Sequence, residues 1–231
     1  WANEAALRAG KENKETVTMA DFDFAKDKIL FGGENTSLSS VMTEDEKWVT
    51  AVHEAGHALV ALMMPENDPL YKVSIIPRGR ALGITSQLPE KDRYNFSESY
   101  LKENLSVLYG GRVAEKVVLS KISAGAQNDI ERATELAHRM VCELGMSELG
   151  AVNFSQDVKP FIPSFSEGTL REVDVEKRNI LKKACDEAEK IITEHRDKLL
   201  KIANALMDKE TLERREIEAL IKEEPEPARR V

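Results

Sequence analysis

The sequence predicts a mainly α fold with a small β-sheet, and three observations carry the prediction. Apolar residues recur at helical spacing through most of the chain, most extensively over Glu172–Met207. Only two short runs, 71–76 and 81–88, have the alternation or β-rich composition of strands. Charged residues make up 32% and hydrophobic residues 42% of the 231 positions, which suits a soluble, helix-rich protein with one sizeable core, or one domain and part of another.

Taken in order, residues 2–9 read as a helix stopped by Gly10. Thr18, with Asp21 three positions on, opens a second helix that runs to Leu30, with Met19, Phe22, Ile29 and Leu30 as its apolar side. Residues 33–42 are small and polar, the composition of a linker. Thr43-Glu-Asp-Glu46 is a capping box that starts a helix ending before Pro65. The two strand runs follow, with Pro77-Arg-Gly79 as their turn. Ser97 caps a helix from 98 to 119 that contains the pair Gly110-Gly111, and a glycine pair inside a helix points to close backbone packing. A helix spans 127–144, a loop 146–170, and the long helical region Glu172–Met207 has a possible break near Arg178. Thr211–Ile221 reads as a last short helix and 225–231 as a tail. The predicted organisation is a preceding-domain remnant over 1–32, a linker over 33–42 and the main domain over 43–231.

The net charge of −8 and the lack of a basic stripe argue against a nucleic-acid partner. No apolar run approaches the ~20 residues of a membrane helix. No signal peptide is visible, and the start at Trp1 without a methionine reads as a piece of something longer. Cys142 and Cys185 form no Cys-x-x-Cys pair and suggest reduced, buried thiols.

The chemistry-bearing stretch is His53-Glu54-Ala55-Gly56-His57. Residues four apart share one face of a helix, so both imidazoles can meet one metal ion, and Glu54 beside the first can take a proton from a bound water. Zinc is the expected ion, since two histidines and a carboxylate are a common catalytic set. A third ligand must come from elsewhere. His138 and His195 are candidates, each more simply read as a surface or interface histidine. Glu115 follows the glycine pair and can equally orient a histidine. Asp129 opens a helix, where it can equally be a cap. Spacing does not choose between Glu115 and Asp129. The second strand run can take an extended peptide as an added strand, or form an ordinary hairpin over a core.

Five stretches together resemble the FtsH family of membrane-anchored, ATP-dependent zinc proteases. They are His53-Glu-Ala-Gly-His57, Ile75-Ile-Pro-Arg-Gly-Arg80, Ala81-Leu-Gly83, Tyr109-Gly-Gly-Arg-Val-Ala-Glu115 and Asn128-Asp129-Ile-Glu-Arg-Ala-Thr. The resemblance implies that His53, His57 and Asp129 hold zinc, that Glu54 is the general base and that Glu115 stands behind the ligands. It also implies that the edge strand at Gly83, Ile84 and Thr85 holds the substrate. Asn3-Glu4-Ala5-Ala6-Leu7 looks like part of the family's AAA+ lid, which would make 1–32 the end of that subdomain and 43–231 the peptidase domain. The glycine-rich phosphate loop is absent from the sequence, so ATP and Mg2+ would act only in the full-length parent. The resemblance further implies unfolded or membrane protein substrates and a homo-hexameric ring. The parent would be anchored in a bacterial inner membrane, or an organelle membrane, by N-terminal segments, with this domain facing the cytoplasm and soluble as a fragment. The pattern departs after Gly150, where Phe161-Ile-Pro163 replaces the expected Phe-Leu-Gly.

Overall fold

The computed structural model describes residues 1–79, 81–89, 94–155 and 165–222. Arg80, the segment Phe161-Ile-Pro163 and the tail 225–231 lie outside the described residues. The fold is mainly α with one three-stranded antiparallel sheet.

Two N-terminal helices, α1 (Ala2–Lys11) and α2 (Met19–Phe31), pack on each other through Ala5, Ala9 and Ala25. The sequence reading of α2's inward side is overturned: Met19, Ile29 and Leu30 are exposed, whereas Asp21 and Asp27 are buried. Ionic contacts set this face, because Asp21 meets Lys14 and Asp27 meets Lys72. The expected linker contains one short helix, α3 (Thr36–Ser39).

The central helix is α4 (Glu44–Met63). Its capping box forms as expected, with Thr43 Oγ1 accepting the Glu46 N–H at 3.2 Å and Glu46 accepting the Thr43 N–H at 2.8 Å. From Thr50 to Ala61 every residue of α4 is buried, since α5 (Glu98–Ala114), α8 (Arg196–Lys209) and the sheet cover it on different sides. The sheet order is β2-β1-β3, from β1 (Leu70–Ser74), β2 (Ile84–Gln87) and β3 (Thr211–Glu213). Val73 faces Thr85 and Ser74 faces Ile84 in the β1–β2 register, so β2 is an edge strand of this sheet.

Three sequence expectations need correction. Residues 211–213 are a strand rather than the start of a helix, which is confined to α9 (Arg214–Lys222). Glu210 takes a left-handed conformation (φ 58°) and turns the chain onto β1, a role its residue type does not announce. The long helical region breaks at His195, not near Arg178, into α7 (Glu167–Glu194) and α8. Finally, the last turn after α5 is π-helical over Glu115–Leu119.

Buried side chains form two clusters. One holds α4, the sheet, α8, α9 and the C-terminal end of α7, with Leu59, Val60, Ile192, Leu199, Ile202 and Leu206 at its centre. The other joins α5, α6 (Gln127–Cys142) and α7 through Leu101, Leu105, Met140 and Ile180. Most of α7 covers α5 and α6, its last turns reach α4 through Ala188, Ile191 and Ile192, and beyond the break at His195 α8 turns to cover α4. Helix α5 contributes to both clusters, and the functional residues lie along that seam.

Candidate metal centre

His53 and His57, one helical turn apart on α4, direct their Nε2 atoms to one point, 3.1 Å from each other. Asp129, in the first turn of α6, brings Oδ2 to 3.4 Å from His53 Nε2 and 3.3 Å from His57 Nε2. Among the described residues this is the one group of three or more His, Cys, Asp or Glu side chains whose ligand atoms all lie within 4.8 Å. Metal–ligand bonds of ~2.0–2.2 Å at tetrahedral angles place ligand atoms roughly 3.3–3.5 Å apart. Two sides of the observed triangle, 3.3 and 3.4 Å, have that length, and the side between the two histidines, 3.1 Å, is slightly shorter.

The proton positions make the same point. His57 Nδ1 lies 2.7 Å from the Val107 carbonyl oxygen, which can only accept, so Nδ1 carries the hydrogen and a neutral ring has its lone pair on Nε2. His53 Nδ1 donates to Glu115 Oε1 at 2.7 Å. Two ring lone pairs and a carboxylate oxygen therefore converge, and only a cation between them makes that favourable. The donor set fits zinc. In the metal-free chain a proton takes that place. Burial pulls the His53 pKa down, but Asp129, Glu115 and Glu54 outweigh it and hold it up at about 10. Burial likewise opposes the ionisation of Asp129, and the two histidines overcome it, leaving its pKa below the ordinary carboxylate value.

Glu115 is not at the convergence point. Its Oε1 accepts from His53 and from the Ser123 hydroxyl at 3.1 Å, and its Oε2 accepts the Ser123 N–H at 2.6 Å. Desolvation works against this fully enclosed carboxylate, but His53 and Ser123 lower its pKa in balance. His138 is occupied elsewhere, 3.6 Å from Cys142 Sγ, and His195 sits at the α7–α8 break. Both cysteines are free thiols, Cys142 buried and Cys185 half-buried, and burial raises the pKa of each.

Glycines let these parts approach. A Cβ on Gly56 would lie 2.4 Å from the Gly110 carbonyl oxygen, and one on Gly111 would lie 2.5 Å from His53 Cε1 and Nε2. Helices α4 and α5 thus touch backbone to backbone where α5 supplies Val107, and the π-helical turn after it supplies Glu115, to the two histidines.

A cleft of about 860 Å³ lies over the centre. His53, Glu54 and His57 line it together with Ile84 and Thr85 of the edge strand, Gly83 just before that strand, and Asn128 and Asp129 from α6. Glu54 points into it with only 6% of its surface exposed, and burial raises its pKa. Sequence reasoning did not identify Ser123, the Val107 carbonyl or the contact of the Thr85 hydroxyl with Glu54. Ser123 lies in a recognisable small-residue run, but a backbone carbonyl leaves no trace in residue type.

A helix-borne His-Glu-x-x-His pair completed by a carboxylate from another helix, in a mainly α domain, defines the class of zinc metallopeptidases. The chain belongs to peptidase family M41, whose family model matches residues 40–220. It is 44% identical over 227 residues to the ATP-dependent zinc metalloprotease FtsH of Acidobacterium capsulatum, covering 95% of this chain and 35% of that protein. It is 45% identical over 230 residues to the protein of the same name from Photobacterium profundum, covering 95% and 33%. With the Syntrophotalea carbinolica protein the identity is 44% over 230 residues, covering 96% and 35%. The chain spans about a third of the length of these curated relatives.

Proposed function

We propose that this chain is the peptidase portion of an ATP-dependent zinc endopeptidase acting on unfolded or membrane proteins. The observation that carries the reading is the triangle of His53 Nε2, His57 Nε2 and Asp129 Oδ2 at metal-ligand spacing, with Glu54 beside it in an open cleft. His53, His57 and Asp129 hold the ion, which supplies Lewis acidity to a water and to the scissile carbonyl when bound. Glu54 accepts the proton of that water and delivers it to the departing amine; its burial suits it to hold a proton between the two transfers. Glu115 and the Val107 carbonyl fix the ring orientations from behind. An extended peptide adds to the outer edge of β2 at Gly83, Ile84 and Thr85 through main-chain hydrogen bonds, which favours broad sequence preference.

The relatives are named as ATP-dependent, and residues 1–231 contain no glycine-rich phosphate loop, so ATP and Mg2+ belong to a separate ATPase module. Residues 1–32 fit the end of that module's lid. A homo-hexamer held at a bacterial inner membrane, with the peptidase domain facing the cytoplasm, completes the reading. No helix among the described residues is long and apolar enough to cross a membrane.

The test is metal content and casein cleavage of the purified chain beside Glu54→Gln. One zinc per chain in both, with cleavage at least ~100-fold lower in Glu54→Gln, is the expected outcome for loss of a general base. Protein that never met a chelator and holds no zinc would refute the assignment.

A further inference from the structure

We propose that the Thr85 side chain is a positioning residue for the Glu54 carboxylate, so that the strand offered to substrate also holds the base. This rests on the peptidase reading above. The Thr85 hydroxyl lies 2.7 Å from Glu54 Oε2 and 3.1 Å from the Glu54 backbone oxygen. Among the described residues it is the one hydrogen-bond donor to the Glu54 carboxylate, leaving Oε1 free to take a proton.

The contact belongs to a steric clamp. A Cβ on Gly83 would lie 2.7 Å from both Glu54 Cγ and Oε1, and 2.8 Å from Thr50 Cγ2. The chain leading into β2 therefore lies directly against the Glu54 side chain. Gly83 and Thr85 are two apart, so they share the face of the extended segment that meets Glu54, while the ladder to β1 fixes the register at Val73–Thr85. A long side chain with three rotatable bonds is thus held at its stem by packing and at its tip by one directional bond. Orientation of this kind bears on rate rather than on fold. A displacement of about 1 Å at a reacting group is sufficient to cost ~100-fold in turnover.

The test compares Thr85→Val, which keeps the shape and removes the hydroxyl, with Thr85→Ser, which keeps the hydroxyl. Each is made alone and with Glu54→Gln, in the zinc-loaded chain. Two functional readouts are used. One is peptide cleavage, resolved into kcat and KM. The other is calorimetric affinity for a peptide hydroxamate, a zinc chelator whose acidic hydroxyl gives its proton to a neighbouring carboxylate. Thr85→Val is expected to lower kcat ~10–100-fold with KM within about twofold, and to weaken hydroxamate binding about tenfold, because a carboxylate left to swing meets the hydroxamate hydroxyl less often and this loss of orientation outweighs its gain in basicity. Zinc content should stay unchanged. Thr85→Ser should stay within about threefold of the parent, and Thr85→Val should add nothing to Glu54→Gln. If Thr85→Val lowers the melting temperature, the contrast of Thr85→Ala with Thr85→Ser reads the same hydroxyl. A valine variant equal to the parent, a loss carried by KM, a loss serine does not restore, or an equal loss on the Glu54→Gln background would each overturn the proposal. If the parent binds zinc without cutting, the hydroxamate series decides it. A parent that binds no zinc overturns the peptidase reading itself, a distinguishable result.

Discussion

At His53 and His57 the far ring nitrogen decides what the near one can do. Each Nδ1 is engaged, by Glu115 and by the Val107 carbonyl, so each Nε2 is left for the shared point. Glu115→Gln tests this at the position with most at stake. An amide can accept from His53 or from Ser123 N–H but cannot reproduce all three bonds, and one NH2 would face a donor. Zinc affinity, measured against a competing chelator, is expected to fall ~10–100-fold, with activity returning as zinc is added. The proton at His53 gives a pH prediction. Its ordinary value is 6.5 and its value in the metal-free fold is about 10, so the proton's stabilising contribution is complete below the ordinary value and is lost as pH rises through about 10. Zinc must displace that proton. Apparent zinc affinity should therefore rise about tenfold per pH unit from ~7 towards ~10, and calorimetry near pH 8 should detect roughly one proton released from His53. An affinity that does not vary with pH over that range would contradict it.

Among the elements, the crossing of α4 and α5 is the determining contact, because it sets the histidines against their partners. Gly111→Ala would put a methyl group 2.5 Å from His53 Nε2, where no rotation of the methyl relieves it. The ring must turn out of the triangle, so zinc binding is expected to weaken more than tenfold, with a stability loss of about 1–3 kcal/mol from overpacking. Gly10→Ala is the control. Nothing lies within 4 Å of that Cβ and the backbone is helical, so thermal denaturation should show no loss or a gain of ~0.4–1 kcal/mol.

The same crossing shows what residue pattern could reveal. The motif helix, its Thr43–Glu46 box and the tight glycine pair each rest on local chemistry that sequence displays, and the structure has them all. The choice between Glu115 and Asp129 was not displayed, because it depends on which helix end swings to the histidines. The turn at Glu210 and the break at His195 were hidden too. Neither position holds a glycine or proline; tertiary packing against β1 and α4 imposes both.

For the whole molecule, the N-terminal helices are a satellite rather than part of either main cluster. Their mutual core is three alanines, and much of α2's apolar surface is exposed. What ties them to the sheet is polar. Asp27 accepts from Lys72 Nζ at 2.6 Å and from the Tyr71 hydroxyl at 3.2 Å, and Arg78 reaches the Gly32 carbonyl at 3.1 Å and Glu34 at 3.0 Å. Phe31 and the Lys26 ammonium pack over the Tyr71 ring. Burial and then Asp27 push the Tyr71 pKa up to about 12. A tie of a few charge-assisted hydrogen bonds is much weaker than the apolar burial around α4, so the satellite should open on its own, below the free energy of global unfolding. Hydrogen exchange is expected to show α1 and α2 exchanging well before α4 and α5. Asp27→Ala removes two of the bonds and leaves the Lys72 charge without its partner, about 2 kcal/mol in all, or roughly thirtyfold in the opening equilibrium. Exchange in α1 and α2 should quicken by that factor, while protection of α4 and zinc content stay as in the parent. Equal acceleration across α4 would mean that the satellite and the peptidase core unfold as one unit, and residues 1–32 would then be an integral layer of the domain and not the end of a neighbouring one.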